Sequence, residues 1–195
     1  IQLHFSAGDF IVEKTKIATV YASSLAEQDI SNDIVQHLIY GSCRTPVQDP
    51  EFAVHQLVEI ALRALSPGIN DPYTAITCID KLSAVLCGLT DKTFPQKNML
   101  SGGVLCLICK ELTFTDIAKA AFDQIRQQCQ NNLAVTIKML DALHVLLGQT
   151  TTDEQHNFVL TQTEMISQQQ AKECMSDHDR GELIQRIEKI TCKNN

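Results

Sequence analysis

The chain has 195 residues, of which 44% are hydrophobic and 20% charged, a composition typical of a globular protein rather than a disordered or fibrous one. A formal net charge of -7 without any cluster of Lys and Arg argues against a nucleic-acid-binding surface. The longest apolar run, at residues 104–109, is far shorter than the roughly 20 residues that a membrane-spanning helix needs.

Two further features bear on where the protein works. The chain opens with Ile1 rather than Met and shows no signal peptide, so we expect it to be a piece of a longer protein. Its eight cysteines occupy mostly apolar or helical positions, which favours buried, reduced thiols in a cytosolic setting over a disulfide framework. The Cys-x-x-Cys spacing at 106–109 lies in an apolar run without a second cysteine pair, so we expect core packing there.

Residues 1–24 differ in pattern from the rest of the chain. Apolar and polar side chains alternate over residues 1–5, and short β-type runs follow at 10–13 and 17–21. These runs predict a small β-meander, and we place a domain boundary between it and a helical domain at 25–195.

Helical periodicity dominates the second part of the sequence. A short helix is predicted over residues 30–38, and a buried strand, with a helical segment as the alternative, over 104–109. Further helices are predicted from apolar faces at helical spacing, which run over residues 57–65, 75–86, 117–125, 135–147, 158–166 and 183–190. The predicted fold class is therefore mainly α, with the small N-terminal β-meander and one candidate internal strand.

Two Asp-Pro pairs predict where helices begin. Asp49 and Asp71 are suited to the N-cap position, where a carboxylate accepts a hydrogen bond from a free amide of the first turn. The proline that follows each of them fits the first helical position, since its missing N–H costs nothing there. Ser66-Pro67-Gly68 predicts the end of the helix that begins after Asp49.

More polar residues surround these two caps than capping alone requires. We therefore predict a ligand-binding or interface site there. The helix after Asp49 separates the two groups by about 20 Å, so they meet only if residues 41–48 fold back or a second subunit contributes. The alternative is a solvated helix face in which Glu59 pairs with Arg63. The candidate site residues are Arg44, Thr45, Gln48, Asp49, Arg63, Ser66, Asn70, Asp71 and Thr74.

The same segment resembles the signature of a bacterial family of predicted membrane proteins, domain of unknown function 2254. The turn at Gly8 to Phe10 also resembles the stretch after that family's membrane segments, whereas Ala53 stands where the family usually has glycine. The resemblance implies a soluble domain, facing the cytoplasm, that is attached to a bacterial inner membrane through segments absent from this chain, and it implies no activity. The matching positions are Arg44 and Thr45, Gln48 to Pro50, Ala64 to Pro72, and Thr74 and Ala75.

The leading functional hypothesis is non-catalytic. It describes an assembly or ligand-sensing domain that uses Arg44, Arg63, Ser66 and Asn70 to contact a second copy of the chain or a small polar ligand. A purely structural domain, in which the signature preserves two caps and a loop shape, is one alternative.

An enzyme acting on a small anionic substrate is the other alternative. Arg44 and Arg63 would hold the substrate, and Asp49 or Asp71 would act as the base. We expect no cofactor and no metal ion, because an N-cap for the last helix explains the acidic run at 177–179.

Overall fold

A computed structural model describes residues 1–21, 27–47, 49–129, 131–171 and 176–192, with only the backbone at 27–29. Within these residues the chain is mainly helical, which confirms the predicted fold class. The elements in chain order are β1 (Gln2–Leu3), β2 (Ala18–Thr19), α1 (Glu27–Gln36), α2 (Pro50–Ala64), α3 (Pro72–Leu89), β3 (Asn98–Ser101), β4 (Val104–Ile108), α4 (Phe114–Gln128), α5 (Leu133–Leu147), α6 (Asp153–Gln170) and α7 (Asp177–Thr191).

The chain divides into two compact units. The first unit comprises Ile1–Phe52 and Pro95–Glu111, and the second comprises Ala53–Phe94 and Leu112–Asn195. The predicted boundary after residue 24 lies outside the described residues and stays a prediction.

A small four-stranded sheet with the order β2-β1-β4-β3 lies in the first unit. Strand β1 pairs antiparallel with β2 and parallel with β4, whereas β3 and β4 form an antiparallel hairpin. Gly102 and Gly103 make the two-residue turn of this hairpin with φ of 60° and 81°, values that glycine adopts without steric cost. The sequence therefore predicted β4 correctly but missed β3, and residues 10–13 do not form the strand expected there.

The prediction that the strand at 104–109 is buried is wrong. Strand β3 is exposed throughout, and β4 is exposed over its first three residues. Cys106 is exposed and Cys109 is half-buried, because the hairpin belongs to the small sheet and not to the helical core. Of the described cysteines, only Cys78 and Cys129 are buried, so the expectation of buried thiols holds for these two. Cys174 lies outside the described residues.

Helix α5 occupies the centre of the second unit. It packs against α3, α6 and α7, while α4 packs against α6 and α3. Met139, Leu140, Leu143 and Leu146 of α5 are fully buried. The helical faces predicted from the sequence supply this core, since the buried residues of α3 to α7 recur at the predicted spacing.

Polar side chains inside the second unit form hydrogen bonds with one another and with the backbone. Nε of Arg126 donates to Oε1 of Gln162 at 3.0 Å, and Nε2 of Gln162 donates to Oδ1 of Asp123 at 2.7 Å. Nε2 of Gln155 donates to the carbonyl oxygen of Thr90 at 3.0 Å. These bonds offset the cost of removing the polar groups from water and fix how α6 lies against its neighbours.

Local signals set the start of the last helix. Oγ of Ser176 accepts a hydrogen bond from the backbone N–H of Asp179 at 3.1 Å, as expected of an N-cap. The acidic run at 177–179 thus forms the first turn of α7, which confirms its interpretation as a helix start.

Truncating a buried side chain of α5 is expected to lower the free energy of unfolding far more than truncating an exposed one. Leu143→Ala leaves a cavity among fully buried neighbours and should lower the free energy of unfolding by about 2–5 kcal/mol. Val145→Ala, at a position that is 56% exposed, is the control and should change it by less than about 0.5 kcal/mol. Urea unfolding followed by circular dichroism measures both, and equal losses would contradict the central position of α5.

Candidate functional site

The first group of polar residues is built around the carboxylate of Asp49, which is only 5% exposed. Its Oδ1 accepts a hydrogen bond from the backbone N–H of Phe52 at 3.2 Å, so Asp49 caps α2 as predicted. Its Oδ2 accepts a hydrogen bond from Nε of Arg44 at 2.6 Å. The guanidinium carbon of Arg44 lies 5.6 Å from the centre of the Phe52 ring, within range of a cation–π contact. Bonding to Asp49 raises the pKa of Arg44.

A glycine turn comes close to this ion pair. Gly8 has a φ of 88°, and a Cβ placed on it would lie 2.8 Å from Cγ of Asp49 and 2.9 Å from Nε of Arg44. A Cβ atom essentially never comes this close to another heavy atom, so a side chain at position 8 would force Asp49 and Arg44 to move, and the positive φ favours glycine as well. The turn is closed by a hydrogen bond from the backbone N–H of Ser6 to Oδ2 of Asp9 at 2.9 Å. The N-terminal turn, the 44–49 loop and the first turn of α2 therefore meet at one carboxylate.

The second group lies in the loop of residues 65–71 that joins α2 to α3. The carbonyl oxygen of Ser66 accepts hydrogen bonds from the backbone N–H groups of Ile69 and Asn70 at 3.0 and 2.9 Å. The backbone N–H of Asp71 donates to the carbonyl oxygen of Ala64 at 2.8 Å. Asn70 adopts a left-handed conformation with a φ of 48°, which asparagine tolerates better than most residues. These bonds give the loop a defined shape.

Asp71 caps α3, as the sequence predicted. Oδ1 accepts a hydrogen bond from the backbone N–H of Thr74 at 3.1 Å, and Oδ2 accepts one from the Thr74 hydroxyl. These bonds stabilise the charged form and lower the pKa of Asp71.

Apolar and polar side chains of this loop and of the adjoining turns of α2 and α3 project into solvent. Ile69 is 57% exposed and Tyr73 is 79% exposed, and Arg63 and Asn70 are exposed as well. The ion pair expected between Glu59 and Arg63 does not form in the described part of the chain. Such a pair on an exposed helix face gains little free energy in water, which explains why the spacing alone does not enforce it.

The structure divides the described candidate site residues between the two units. Arg44 and Asp49 are bonded in the first unit, with Thr45 exposed beside them, while Gln48 lies outside the described residues. Sequence analysis missed Gly8 and the exposed Ile69 and Tyr73. The remaining candidates belong to the second unit, where Asp71 bonds Thr74 and the hydroxyl of Ser66 donates to the carbonyl oxygen of Arg63; these candidates are Arg63, Ser66, Asn70, Asp71 and Thr74.

Two searches over the described residues bear on metals and membranes. No three His, Cys, Asp or Glu side chains among them lie close enough together to hold a metal ion. None of the described helices has both the length and the apolar character required to cross a membrane.

Comparison with known proteins gives one family and a small set of relatives. The sequence profile of a family described as "Predicted membrane protein (DUF2254)" matches residues 1–145. Uncharacterised proteins from Mycobacterium bovis and from two strains of Mycobacterium tuberculosis are each 29% identical to this chain over 157 residues. The match covers 80% of this chain but 30% of each relative, so the chain spans about a third of their length. No solved structure matches the chain.

Gly8→Ala is expected to destabilise the ion pair by steric overlap. The change forces a methyl group against Asp49 and Arg44, so the free energy of unfolding should fall by about 1–3 kcal/mol more than in the control variant. Gly103→Ala is the matched control, because its φ of 81° is similar and a Cβ there meets nothing within 4 Å. Urea unfolding together with hydrogen exchange at residues 49–52 measures the difference; equal effects would show that backbone conformation alone matters at Gly8.

The cap at Asp71 is expected to lose its contribution to stability in acid. Since the native pKa is lowered, the stabilisation is fully present above the ordinary value of 3.8 and is lost as the pH falls through the native pKa. Nuclear magnetic resonance titration of the Asp71 carboxyl should give a pKa below 3.8, and Thr74→Ala should move it upward. A titration unaffected by Thr74→Ala would contradict the assigned cause.

Proposed function

Because this chain belongs to the family of predicted membrane proteins whose profile matches residues 1–145, we propose that it serves as an assembly domain of a membrane protein. The assembly surface is the 63–73 surface, defined here as the exposed residues Arg63, Ile69, Asn70 and Tyr73. Its partner is a second copy of the chain. The longer protein is attached to a bacterial inner membrane through segments outside this chain, with the domain on the cytoplasmic side.

The observation that carries the proposal is the combination of a defined loop with exposed side chains on it and on the adjoining turns of α2 and α3. The loop satisfies its own backbone groups through Ser66, Asn70 and Asp71, and so it is ordered before any partner arrives. Binding through a preorganised loop costs less conformational entropy than binding through a flexible one. Tyrosine and arginine are the residue types that most often contribute large binding energies at protein interfaces, and Tyr73 and Arg63 are both exposed here.

The geometry supports an enzyme less well. Arg44 already contacts the carboxylate of Asp49 at 2.6 Å, so its charge is largely compensated before an anionic substrate arrives. A general base works best with a pKa near the operating pH, whereas the hydrogen bonds from Thr74 lower the pKa of Asp71. Both carboxylates therefore act as helix N-caps. The exposed side chains at and beside the loop favour a contact surface instead.

The proposal predicts self-association through Tyr73. Truncation of a central interface residue costs about 2 kcal/mol, so Tyr73→Ala should raise the dimer dissociation constant by about thirtyfold. Val85→Ala, at an exposed position of the same helix α3, is the control and should leave it unchanged. Sedimentation equilibrium of the 195-residue chain measures both constants.

A photo-crosslinking residue gives a second readout that does not depend on affinity. Placed at position 73, it should yield a covalent dimer on irradiation, and placed at position 85, it should not. A chain that stays monomeric at every concentration and yields no dimer from position 73 would overturn the proposal.

A further inference from the structure

The β3–β4 hairpin in the first unit has an unusual surface for a small sheet. Residues 98–109 contain no charged side chain, although they form an exposed element. Four of its large apolar side chains are about half exposed or more, namely Met99 54%, Leu100 66%, Val104 65% and Leu105 49%, whereas Leu107 and Ile108 are half-buried. Exposed apolar surface concentrated on one element indicates a site that contacts another protein, a membrane or a ligand.

The apolar side chains lie on both faces of the hairpin. Leu100 pairs with Leu105 across the strands, and the next pair toward the turn is Ser101 with Val104. Since neighbouring residues of a strand point to opposite faces, Leu105 and Val104 project on opposite sides. A protein surface docked on one face would leave the other apolar face in water. A lipid environment that surrounds the tip of the hairpin would cover both of its apolar faces.

Two lysines mark the base of the hairpin. The backbone N–H of Cys109 donates to the carbonyl oxygen of Lys97 at 2.8 Å, which places Lys97 opposite Cys109, with Lys110 one residue further from the turn. Ser101 is four positions after Lys97, so the turn lies about 13 Å beyond that lysine. Two acidic residues lie close to Lys110: Oδ2 of Asp9 is 3.8 Å from its Nζ, and Glu111 follows it in the chain.

We propose that the tip of this hairpin inserts into the surface of an anionic lipid bilayer, with Lys97 and Lys110 at the level of the lipid phosphates. Interfacial segments bury their apolar side chains about 5–10 Å into the boundary between headgroups and acyl chains, a depth that the tip above the lysines can reach. Lysines near the surface of an anionic leaflet are each attracted to it.

The sheet topology limits the depth of insertion. Strand β3 is at the edge of the sheet, and no other strand among the described residues pairs with its outer backbone groups. Unpaired backbone groups are costly in the hydrocarbon core, and the tip therefore stays in the hydrated interface. Because the whole chain carries a net charge of -7, the apolar side chains contribute most of the binding and the lysines select the anionic lipid.

A single tryptophan reports the insertion directly, since the chain has none of its own. Leu100→Trp places it at the hairpin, and Val145→Trp places the control at an exposed position of helix α5. Vesicles of phosphatidylcholine with about a quarter phosphatidylglycerol should shift the emission of the Leu100→Trp variant to shorter wavelength, and brominated acyl chains should quench it. The emission of the Val145→Trp variant should not change.

Vesicle flotation of the otherwise native chain tests the two contributions separately. Leu100→Ser with Leu105→Ser should weaken partitioning by about tenfold or more, and Lys97→Gln with Lys110→Gln should weaken it only on vesicles that contain phosphatidylglycerol. Absence of flotation and of a spectral shift at saturating lipid would overturn the inference. A shift that appears without vesicles and grows with protein concentration would also overturn it, because a second copy of the chain would then cover the hairpin.

Discussion

The packing of helix α5 is the constraint on which the second unit depends, because α5 contacts α3, α6 and α7 at once. A helix that is apolar on nearly all sides is stable only when it is surrounded, and its neighbours are therefore held at fixed positions around it. The same helix buries one polar atom at a cost in free energy. Within the described residues, Nδ1 of His144 is buried without a hydrogen-bond partner. Leaving such a group unpaired costs about 1–3 kcal/mol.

The two units differ in how far they bury their apolar side chains. The second unit hides its large side chains between helices, whereas the first consists of short strands and one helix, and leaves many of its large hydrophobic side chains exposed. A small sheet is stable in water when three or more strands share a hydrophobic face or when it packs against a helix. In a family of predicted membrane proteins, the material that completes such a sheet can come from lipid as well as from protein. The proposed roles of the hairpin and of the 63–73 surface follow from this difference.

Local signals in the sequence were sufficient for the helices, and signals between distant residues were not. Asp49 and Asp71 were identified as caps because a cap acts within three residues of itself. The apolar run at 104–109 correctly indicated a strand, but its burial depends on what packs against it, and a sequence does not state that. The contact of Gly8 with Asp49 joins residues that lie far apart in the chain, so no spacing rule could reveal it. Strand β3 was missed although a Gly-Gly turn between apolar residues is a recognised hairpin signal.

The close approach of Gly8 to the Arg44–Asp49 pair also restricts how this protein can diverge. A longer carboxylate at position 49 would need the space that the glycine turn occupies, and a side chain at position 8 would displace the carboxylate. Loss of Asp49 alone would leave Arg44 without its partner in that ion pair and α2 without its cap. We therefore expect substitutions at these three positions to be coupled among relatives, since a change at one alters the space or the charge that the other two require.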